Sequence, residues 1–186
     1  MSITFITSLP TSGRYLYTLV PTEWGPLALV SHNEVLCRLI FGFPNQHSLQ
    51  KTVLNHYPSA QTNNSVLKKL QQNITDYFLG NQVDFTCKVD ISWAGDFTRS
   101  VLRRCAQIKP GQSINYGTLA QKIRYPRAAR AVGWALAQNR IPLIIPCHRV
   151  VAVNGQLGGY SAPGGVALKK RLLEHEAVFR KINPTM

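Results

Sequence analysis

The basic residues of this chain are concentrated in its second half, and this uneven distribution constrains its organisation more than any other feature. Residues 1–92 carry 6 Lys and Arg against 5 Asp and Glu, whereas residues 93–186 carry 15 against 3. The apolar pattern changes at the same place, from strand-like alternation before Trp93 to helical spacing after Asp96. We therefore predict two domains, residues 1–92 and residues 93–186.

The excess positive charge of the second half indicates a polyanionic partner. Each phosphate contact by Lys or Arg releases condensed counterions, so such a surface favours nucleic acid. Charge alone leaves an anionic membrane, or a merely basic soluble surface, as alternatives. No segment has the roughly 20 apolar residues that span a bilayer, and residues 1–10 lack a signal-peptide pattern. We expect no membrane partner and a cytoplasmic, nucleoid-associated location.

Short apolar segments separated by turn residues predict a small antiparallel sheet in the first domain. Residues 14–20, 26–31 and 35–41 form its strands, and a helix capped by Asn64 runs to residue 78 and is stopped by Gly80. Apolar residues then alternate over residues 83–93, as in a strand with one buried face. The first domain is thus predicted to be α/β, and the second mainly α.

A helix-turn-helix is predicted within the second domain. Asn115 is expected to cap a helix over residues 116–123, and a second helix follows over residues 127–138 after Pro126. The second helix is rich in Ala and Gly, which suits either close approach to DNA or tight core packing. Three arginines near its start favour DNA, since they are poor core residues: Arg124, Arg127 and Arg130.

Residues 141–153 form an apolar run in which one Cys and one His are adjacent. The four cysteines of the chain show no Cys-x-x-Cys pair, and an isolated buried Cys is usually inert, but Cys147 adjoins His148. A thiol with its ordinary pKa is mostly protonated at neutral pH, so chemistry requires a nearby base. Neighbouring side chains on an extended segment point oppositely, so a direct contact with His148 does not follow from adjacency, and a bridging water would relax that constraint.

The run Pro146-Cys147-His148-Arg149-Val150 resembles the active-site signature of the 6-O-alkylguanine-DNA alkyltransferases, the methylated-DNA--protein-cysteine methyltransferases. The resemblance extends over at least residues 97–176. The first half resembles the family only in size and loosely in pattern, which implies a ribonuclease H-like domain there.

This resemblance implies DNA repair by direct reversal of damage. Cys147 would accept, irreversibly and once per molecule, the alkyl group of 6-O-alkylguanine, with 4-O-alkylthymine left open as a second substrate. His148 would deprotonate the thiol through a water, Glu176 would orient His148, and Asn139 would hold the turn that positions the cysteine. No metal and no diffusible cofactor is implied.

The family also binds the minor groove of double-stranded DNA and flips the damaged nucleotide out of the stack. Arg130 would fill the resulting gap, while Tyr116 would assist the rotation and donate to the base. Flipping costs a few kcal/mol, which the basic half would offset. We expect the protein to act as a monomer. Further contacts to DNA or base are implied at Arg127, Ala129, Gly133, Arg149, Val150, Tyr160 and Ser161.

The chain departs from the family pattern at two places. Trp134 stands where a small residue is common, and it would either restrict the nucleotide pocket or pack beneath the helix. Residues 162–163 are an insertion, which blurs the choice between Glu174 and Glu176; the local pattern of residues 172–176 favours Glu176. A non-catalytic lesion binder is disfavoured because Cys147 is present. A cysteine hydrolase is disfavoured because nothing marks an oxyanion site.

Overall fold

The computed structural model describes residues 2–182, with side chains as far as Phe179. The chain divides into two compact units between Trp93 and Ala94. This division lies one residue beyond the predicted boundary.

The first unit is built on a six-stranded sheet and two helices. Along the chain the elements are β1 (Ser2–Ile6), β2 (Tyr15–Val20), β3 (Leu27–His32), β4 (Val35–Ile40), α1 (Gln46–His56), β5 (Gln61–Thr62), α2 (Lys68–Phe78) and β6 (Thr86–Asp90). The strands lie side by side in the order β1-β6-β4-β3-β2-β5.

The sheet is mixed, which extends the predicted antiparallel arrangement. Strands β2, β3 and β4 pair antiparallel, as the short connections between them require. Strand β6 confirms the strand predicted within residues 83–93, and it pairs parallel with β4. Strands β1 and β5 were not predicted, and they add further parallel pairs at the edges of the sheet. Strand β6 follows α1 and α2 in the chain, and such a crossover allows it to return parallel to β4.

Both faces of the sheet are covered. Every residue of β3 is buried, including Leu29 on one face and Val30 on the other. Helix α1 packs on the Val30 face through Leu49 and Val53. Phe78 of α2 contacts other aromatic rings of this unit, Trp24 and Phe41.

Helix α2 begins later than predicted. Leu67 has φ 53° and ψ 35°, a left-handed conformation that keeps the preceding residues out of the helix. The side chain of Asn64 accepts a hydrogen bond from Thr18 Oγ1 at 3.4 Å instead of capping the helix. The predicted stop is correct, since Gly80 adopts φ 93° just after the helix ends.

The second unit is mainly helical, as predicted. Its elements are α3 (Asp96–Cys105), β7 (Ile114–Asn115), α4 (Tyr116–Lys122), α5 (Ala129–Ala137), a 3-10 turn (Cys147–Arg149), β8 (Val150–Val151) and α6 (Gly165–Ile182). Helices α3, α4 and α5 pack against one another, and β7 pairs parallel with β8. Within residues 2–182, no helix is both long enough and apolar enough to cross a membrane.

The helix-turn-helix is formed by α4 and α5. The Asn115 side chain caps α4, accepting from Thr118 N at 2.7 Å. Arg124 adopts φ 67°, and Tyr125 N donates back to Ala120 O at 2.9 Å, which closes α4. The second helix begins at residue 129 and not at 127, because Tyr125 O accepts from Ala128 N and a separate turn precedes it.

Candidate active site

A cavity of about 630 Å³ lies wholly within the second unit. Cys147 is one of its lining residues and is 7% exposed. The cavity therefore gives a buried thiol a route to a ligand. The predicted site residues that line it are Tyr116, Ala129, Arg130, Gly133, Cys147, Tyr160 and Ser161.

The conformation at Cys147 is held by Asn139. Asn139 Oδ1 accepts from Ile141 N at 3.0 Å, and its Nδ2 donates to Ile145 O at 2.7 Å. The same Nδ2 lies 3.3 Å from Cys147 Sγ, a direct contact that the sequence did not indicate. Residues Cys147–Arg149 form a 3-10 turn and not an extended segment, so the expectation that neighbouring side chains alternate does not apply.

The Cys147 thiol is less acidic than a free cysteine. Burial raises its pKa, because a thiolate loses hydration in the protein interior. The hydrogen bond from Asn139, the positive charge of Lys169 and nearby backbone N–H groups act in the opposite direction without cancelling the effect of burial. The resting side chain is a thiol at neutral pH, and its reaction requires a proton acceptor.

His148, Glu176 and Arg149 form a buried cluster beside the cysteine. His148 Nε2 lies 2.9 Å from Glu176 Oε1. Arg149 donates from Nε and Nη2 to the two carboxylate oxygens, each at 2.8 Å, and from Nη1 to Ile108 O. Gly111 N donates more weakly to Glu176 at 3.4 Å. Glu176 thus fixes the two residues that follow Cys147 in the chain.

The charges in this cluster determine which nitrogen of His148 carries the proton. Burial alone would raise the pKa of Glu176, but its contacts with His148 and Arg149 outweigh burial and hold that pKa well below its usual range. Burial lowers the pKa of His148 despite the Glu176 contact. The imidazole is therefore neutral at pH 7, and its Nε2 carries the hydrogen that the carboxylate accepts. Its buried Nδ1 has no hydrogen-bond partner among the described residues.

Tyr116 forms one wall of the cavity and is closely packed. Gly158 has φ 66°, and a Cβ placed on it would lie 2.9 Å from Tyr116 Oη. A Cβ on Gly133 would lie 3.7 Å from the same ring, in ordinary contact. These glycines leave the space that the Tyr116 ring occupies.

Lys169 is a buried lysine that our sequence reasoning missed. It has no exposed surface, and its Nζ donates to Val150 O at 2.7 Å and lies 3.5 Å from Tyr116 Oη. Burial lowers its pKa, while the nearby thiols Cys147 and Cys105 act to raise it. Lys169 precedes Glu176 by seven residues, two turns of α6, so helical spacing alone would have placed it on the same buried face.

The sequence matches two families that together span most of the chain. Residues 96–178 match "6-O-methylguanine DNA methyltransferase, DNA binding domain", and residues 15–91 match "6-O-methylguanine DNA methyltransferase, ribonuclease-like domain". A methylated-DNA--protein-cysteine methyltransferase of Salmonella typhimurium is 34% identical over 169 residues, 88% of this chain and 96% of the relative. The chain belongs to the methylated-DNA--protein-cysteine methyltransferase family.

Other members of this methyltransferase family agree in sequence and fold. The protein of the same name from Mycobacterium tuberculosis is 32% identical over 160 residues, which are 86% of this chain and 91% of the relative. The crystal structure of Mycobacterium tuberculosis OGT in complex with DNA has a TM-score of 0.74 and 32% identity, covering 88% of this chain and 93% of that one. The ribonuclease-like description agrees with the fold that the family resemblance implied for the first unit.

Three predicted binding residues of this family member do not line the cavity. Arg149 is fully buried and its guanidinium is bound to Glu176, so its assignment as a contact to DNA or base is corrected to a structural role. The Val150 side chain is also fully buried, and its carbonyl accepts from Lys169. Arg127 is exposed, but it lies in the turn before α5, away from the cavity lining.

The two departures from the methyltransferase pattern lie outside the cluster around Cys147. Trp134 is 72% exposed and is not among the cavity-lining residues, so it neither restricts the cavity nor packs beneath the helix. The insertion at residues 162–163 lies in the turn before α6, where Gly165 N donates to Ala162 O at 3.0 Å. Glu174 is exposed and pairs with Lys170 at 3.7 Å, which leaves Glu176 as the carboxylate that contacts His148.

Two of the other cysteines are weakly acidic. Burial raises the pKa of Cys87 to about 12, and burial together with the nearby Cys147 thiol raises that of Cys105 well above its ordinary value. Within residues 2–182, no three His, Cys, Asp or Glu side chains come together as a set of metal ligands.

Proposed function

We propose that this methyltransferase repairs alkylated DNA by taking the alkyl group of 6-O-alkylguanine onto Cys147. The observation that carries the proposal is the position of Cys147: its thiol is buried at a cavity and adjoins a neutral histidine that a carboxylate orients. The new thioether has no evident route back to a thiol. One protein molecule therefore repairs one lesion.

The proton of the thiol passes to His148. Because Nε2 is the donor to Glu176, Nδ1 carries the lone pair and is the base, acting through a water. The positive charge that develops on the ring is stabilised by the ionised Glu176 carboxylate. Asn139 supports the forming thiolate through its 3.3 Å contact with Sγ.

Sulfur then attacks the alkyl carbon, a C–S bond forms, and the bond from that carbon to the guanine oxygen breaks. The electron pair of the broken bond moves onto guanine, which needs a donor to relieve the developing charge. Tyr116 is that donor, since its hydroxyl lies on the cavity wall beside Lys169. Lys169 has no exposed surface, and its positive charge next to Tyr116 favours donation by the tyrosine hydroxyl.

The base reaches Cys147 by leaving the duplex. The cavity is large enough for a flipped nucleobase with its alkyl group, and most of its lining is apolar. Helix α5 carries Ala129, Arg130 and Gly133 along one side of the cavity, so it is the helix that enters the minor groove. Arg130 fills the stack in place of the flipped base. The protein acts as a monomer on double-stranded DNA.

The test is the mass of the Cys147 peptide after incubation with duplex DNA containing 6-O-methylguanine. We expect one added methyl group per protein molecule, confined to Cys147, with no further turnover. Methylation at another residue or repeated turnover would overturn the proposal. The same measurement with duplex DNA containing 4-O-methylthymine tests whether that lesion is a second substrate.

A C147S variant separates this proposal from a non-catalytic lesion binder. We expect it to lose transfer while keeping salt-sensitive binding to DNA, because phosphate contacts do not involve the thiol. If C147S keeps repair activity in the presence of lesion DNA, the thiol is not the acceptor.

A further inference from the structure

Trp134 is the largest well-exposed apolar side chain in the part of the second unit that the structure describes. Its exposed fraction is 72%, although Trp is among the residues that proteins bury most on average. The other tryptophans have partners within the first unit: Trp24 packs on Phe78, and Trp93 Nε1 donates to Asp90 O at 3.2 Å. Because tryptophan is enriched at binding interfaces, an indole left in water on a helix that lines the cavity points to a binding partner.

The position of Trp134 connects it to the cavity mouth. It follows Gly133, which lines the cavity, and stands one helical turn after Arg130, which also lines it. Residues four apart share a face of a helix, and helical side chains lean toward the N terminus. The indole therefore extends the cavity rim along α5 from the turn that carries Arg130.

The charge around Trp134 favours a polyanion. The sequence has no Asp or Glu between Asp96 and Glu174, and both Arg127 and Arg130 are exposed near the same helix. A second copy of the chain would place these arginines opposite other arginines, and the like charges would repel. Duplex DNA brings phosphates to these arginines and offers apolar sugar surfaces to the indole.

We infer that Trp134 is an additional DNA contact of this chain, which packs on the deoxyribose rings that line the minor groove next to the flipped nucleotide. The inference rests on the proposed function, because it requires α5 to be the helix that enters the duplex. The contact is independent of base sequence, since every nucleotide of the duplex offers the same sugar surface. It adds affinity without adding a phosphate contact.

The test uses full-length protein carrying C147S, which prevents reaction, and a 20-base-pair duplex with one 6-O-methylguanine. We expect Trp134→Ala to weaken binding about tenfold, within the range found for aromatic contacts to nucleic acid. The dependence of affinity on salt is expected to keep its slope, because no charge is removed. Tryptophan fluorescence should change on adding the duplex, and Trp134→Phe should abolish that change while Trp24 and Trp93 remain.

Leu79→Ala is the matched control, since Leu79 is an exposed apolar residue of the first unit at 57% exposure. It should leave duplex affinity unchanged. Unchanged affinity of Trp134→Ala together with unchanged fluorescence on binding would overturn the inference. So would self-association through Trp134, detected as a concentration-dependent mass in sedimentation that Trp134→Ala removes.

Transfer from free 6-O-benzylguanine to protein with an intact Cys147 distinguishes the two proposals. If the free base alkylates Cys147 but Trp134→Ala binds the duplex normally, only the inference on Trp134 fails. If neither the free base nor lesion DNA alkylates Cys147, the proposed function is wrong, and the inference on Trp134 that rests on it is wrong as well. An equal loss by Trp134→Ala on free base and duplex would assign Trp134 to the integrity of the cavity and overturn its role as a DNA contact.

Discussion

His148 Nε2 and Glu176 Oε1 lie 2.9 Å apart, with side-chain exposures of 0% and 1%. The same carboxylate neutralises the buried guanidinium of Arg149. Glu176→Gln keeps the shape but removes the charge, and it leaves Arg149 buried without a counter-ion. We expect a loss of about 3–5 kcal/mol in the free energy of unfolding, measured by urea denaturation. The transfer rate should fall by a factor of about 10 to 100 in single-turnover assays.

A double variant, Glu176→Gln with Arg149→Met, separates stability from catalysis. Removing both charges should restore most of the unfolding free energy, because no unpaired buried charge remains. The transfer rate should stay low, since His148 still lacks its carboxylate. If Glu176→Gln unfolds at the same urea concentration as the wild type, the buried ion pair with Arg149 does not stabilise the fold.

The positive charge of Lys169 is expected to affect the reactivity of both Tyr116 and Cys147. Lys169→Met removes the positive charge that lowers the pKa of Cys147, so that pKa should rise further. We expect at least a tenfold slower transfer, together with a shift to higher pH in the rate of thiol alkylation by iodoacetamide. Lys170→Met is the control, because Lys170 carries the same charge on the same helix but its side chain is 66% exposed. Equal effects of the two substitutions would rule out a specific role for Lys169.

Gly158 is expected to be essential for the position of Tyr116. Gly158→Ala places a methyl group 2.9 Å from the Tyr116 hydroxyl and forces an L-residue to φ 66°. The backbone conformation alone costs about 1–2 kcal/mol, and the clash displaces the ring. We expect lower thermal stability and at least tenfold slower transfer.

Gly159→Ala provides the matched comparison for that variant. A Cβ on Gly159 meets nothing within 4 Å, and its backbone is not left-handed. This variant should keep wild-type stability, and because Gly159 also lines the cavity its transfer should fall less than that of Gly158→Ala. Similar losses at both positions would indicate that the loop, and not the Tyr116 contact, is responsible.

Arg130 is expected to matter for duplex DNA more than for single strands. It lines the cavity mouth, and its proposed role is to replace the flipped base in the stack. Arg130→Ala should slow transfer from duplex by at least tenfold and from a single strand much less. Arg127→Ala removes the same charge outside the cavity lining, so it should slow transfer from duplex and from single strands by the same factor. If the ratio of the duplex rate to the single-strand rate is similar for the two variants, the flipping role of Arg130 is wrong.

The helices and strands were predictable where local patterns are strong. Short apolar segments between turn residues identified the antiparallel core of the sheet, and alternation identified β6. Asn115 and Gly80 correctly marked a helix start and a helix stop. The start of α2 was wrong because the left-handed backbone of Leu67 leaves no signature in an apolar residue. The parallel edge strands depend on long-range pairing, which a local pattern does not encode.

The candidate site was predictable in its residues but less so in their contacts. The signature around Cys147 identified the thiol, and its family pattern indicated Glu176, which contacts His148. The burial of Arg149 was not foreseen, because a basic residue beside a nucleic-acid site is usually read as a phosphate contact. Lys169 was missed because a lysine at the start of a basic run, Lys169–Arg171, suggests exposure.

The stability of the second unit is expected to decrease with acid because of His148. Its pKa in the folded protein is lowered, so between that value and its ordinary pKa the unfolded chain binds more protons than the native state. The free energy of unfolding therefore falls as the pH is lowered from 7 to 5, with a slope of up to about 1.4 kcal/mol per pH unit from this one group. Glu176 contributes little slope there, because its lowered pKa keeps it ionised in the folded protein and its ordinary pKa of 4.5 leaves it mostly ionised in the unfolded chain. His148→Gln should show a shallower decline in urea titrations at pH 5, 6 and 7, and identical slopes for variant and wild type would show that His148 is not held neutral by burial.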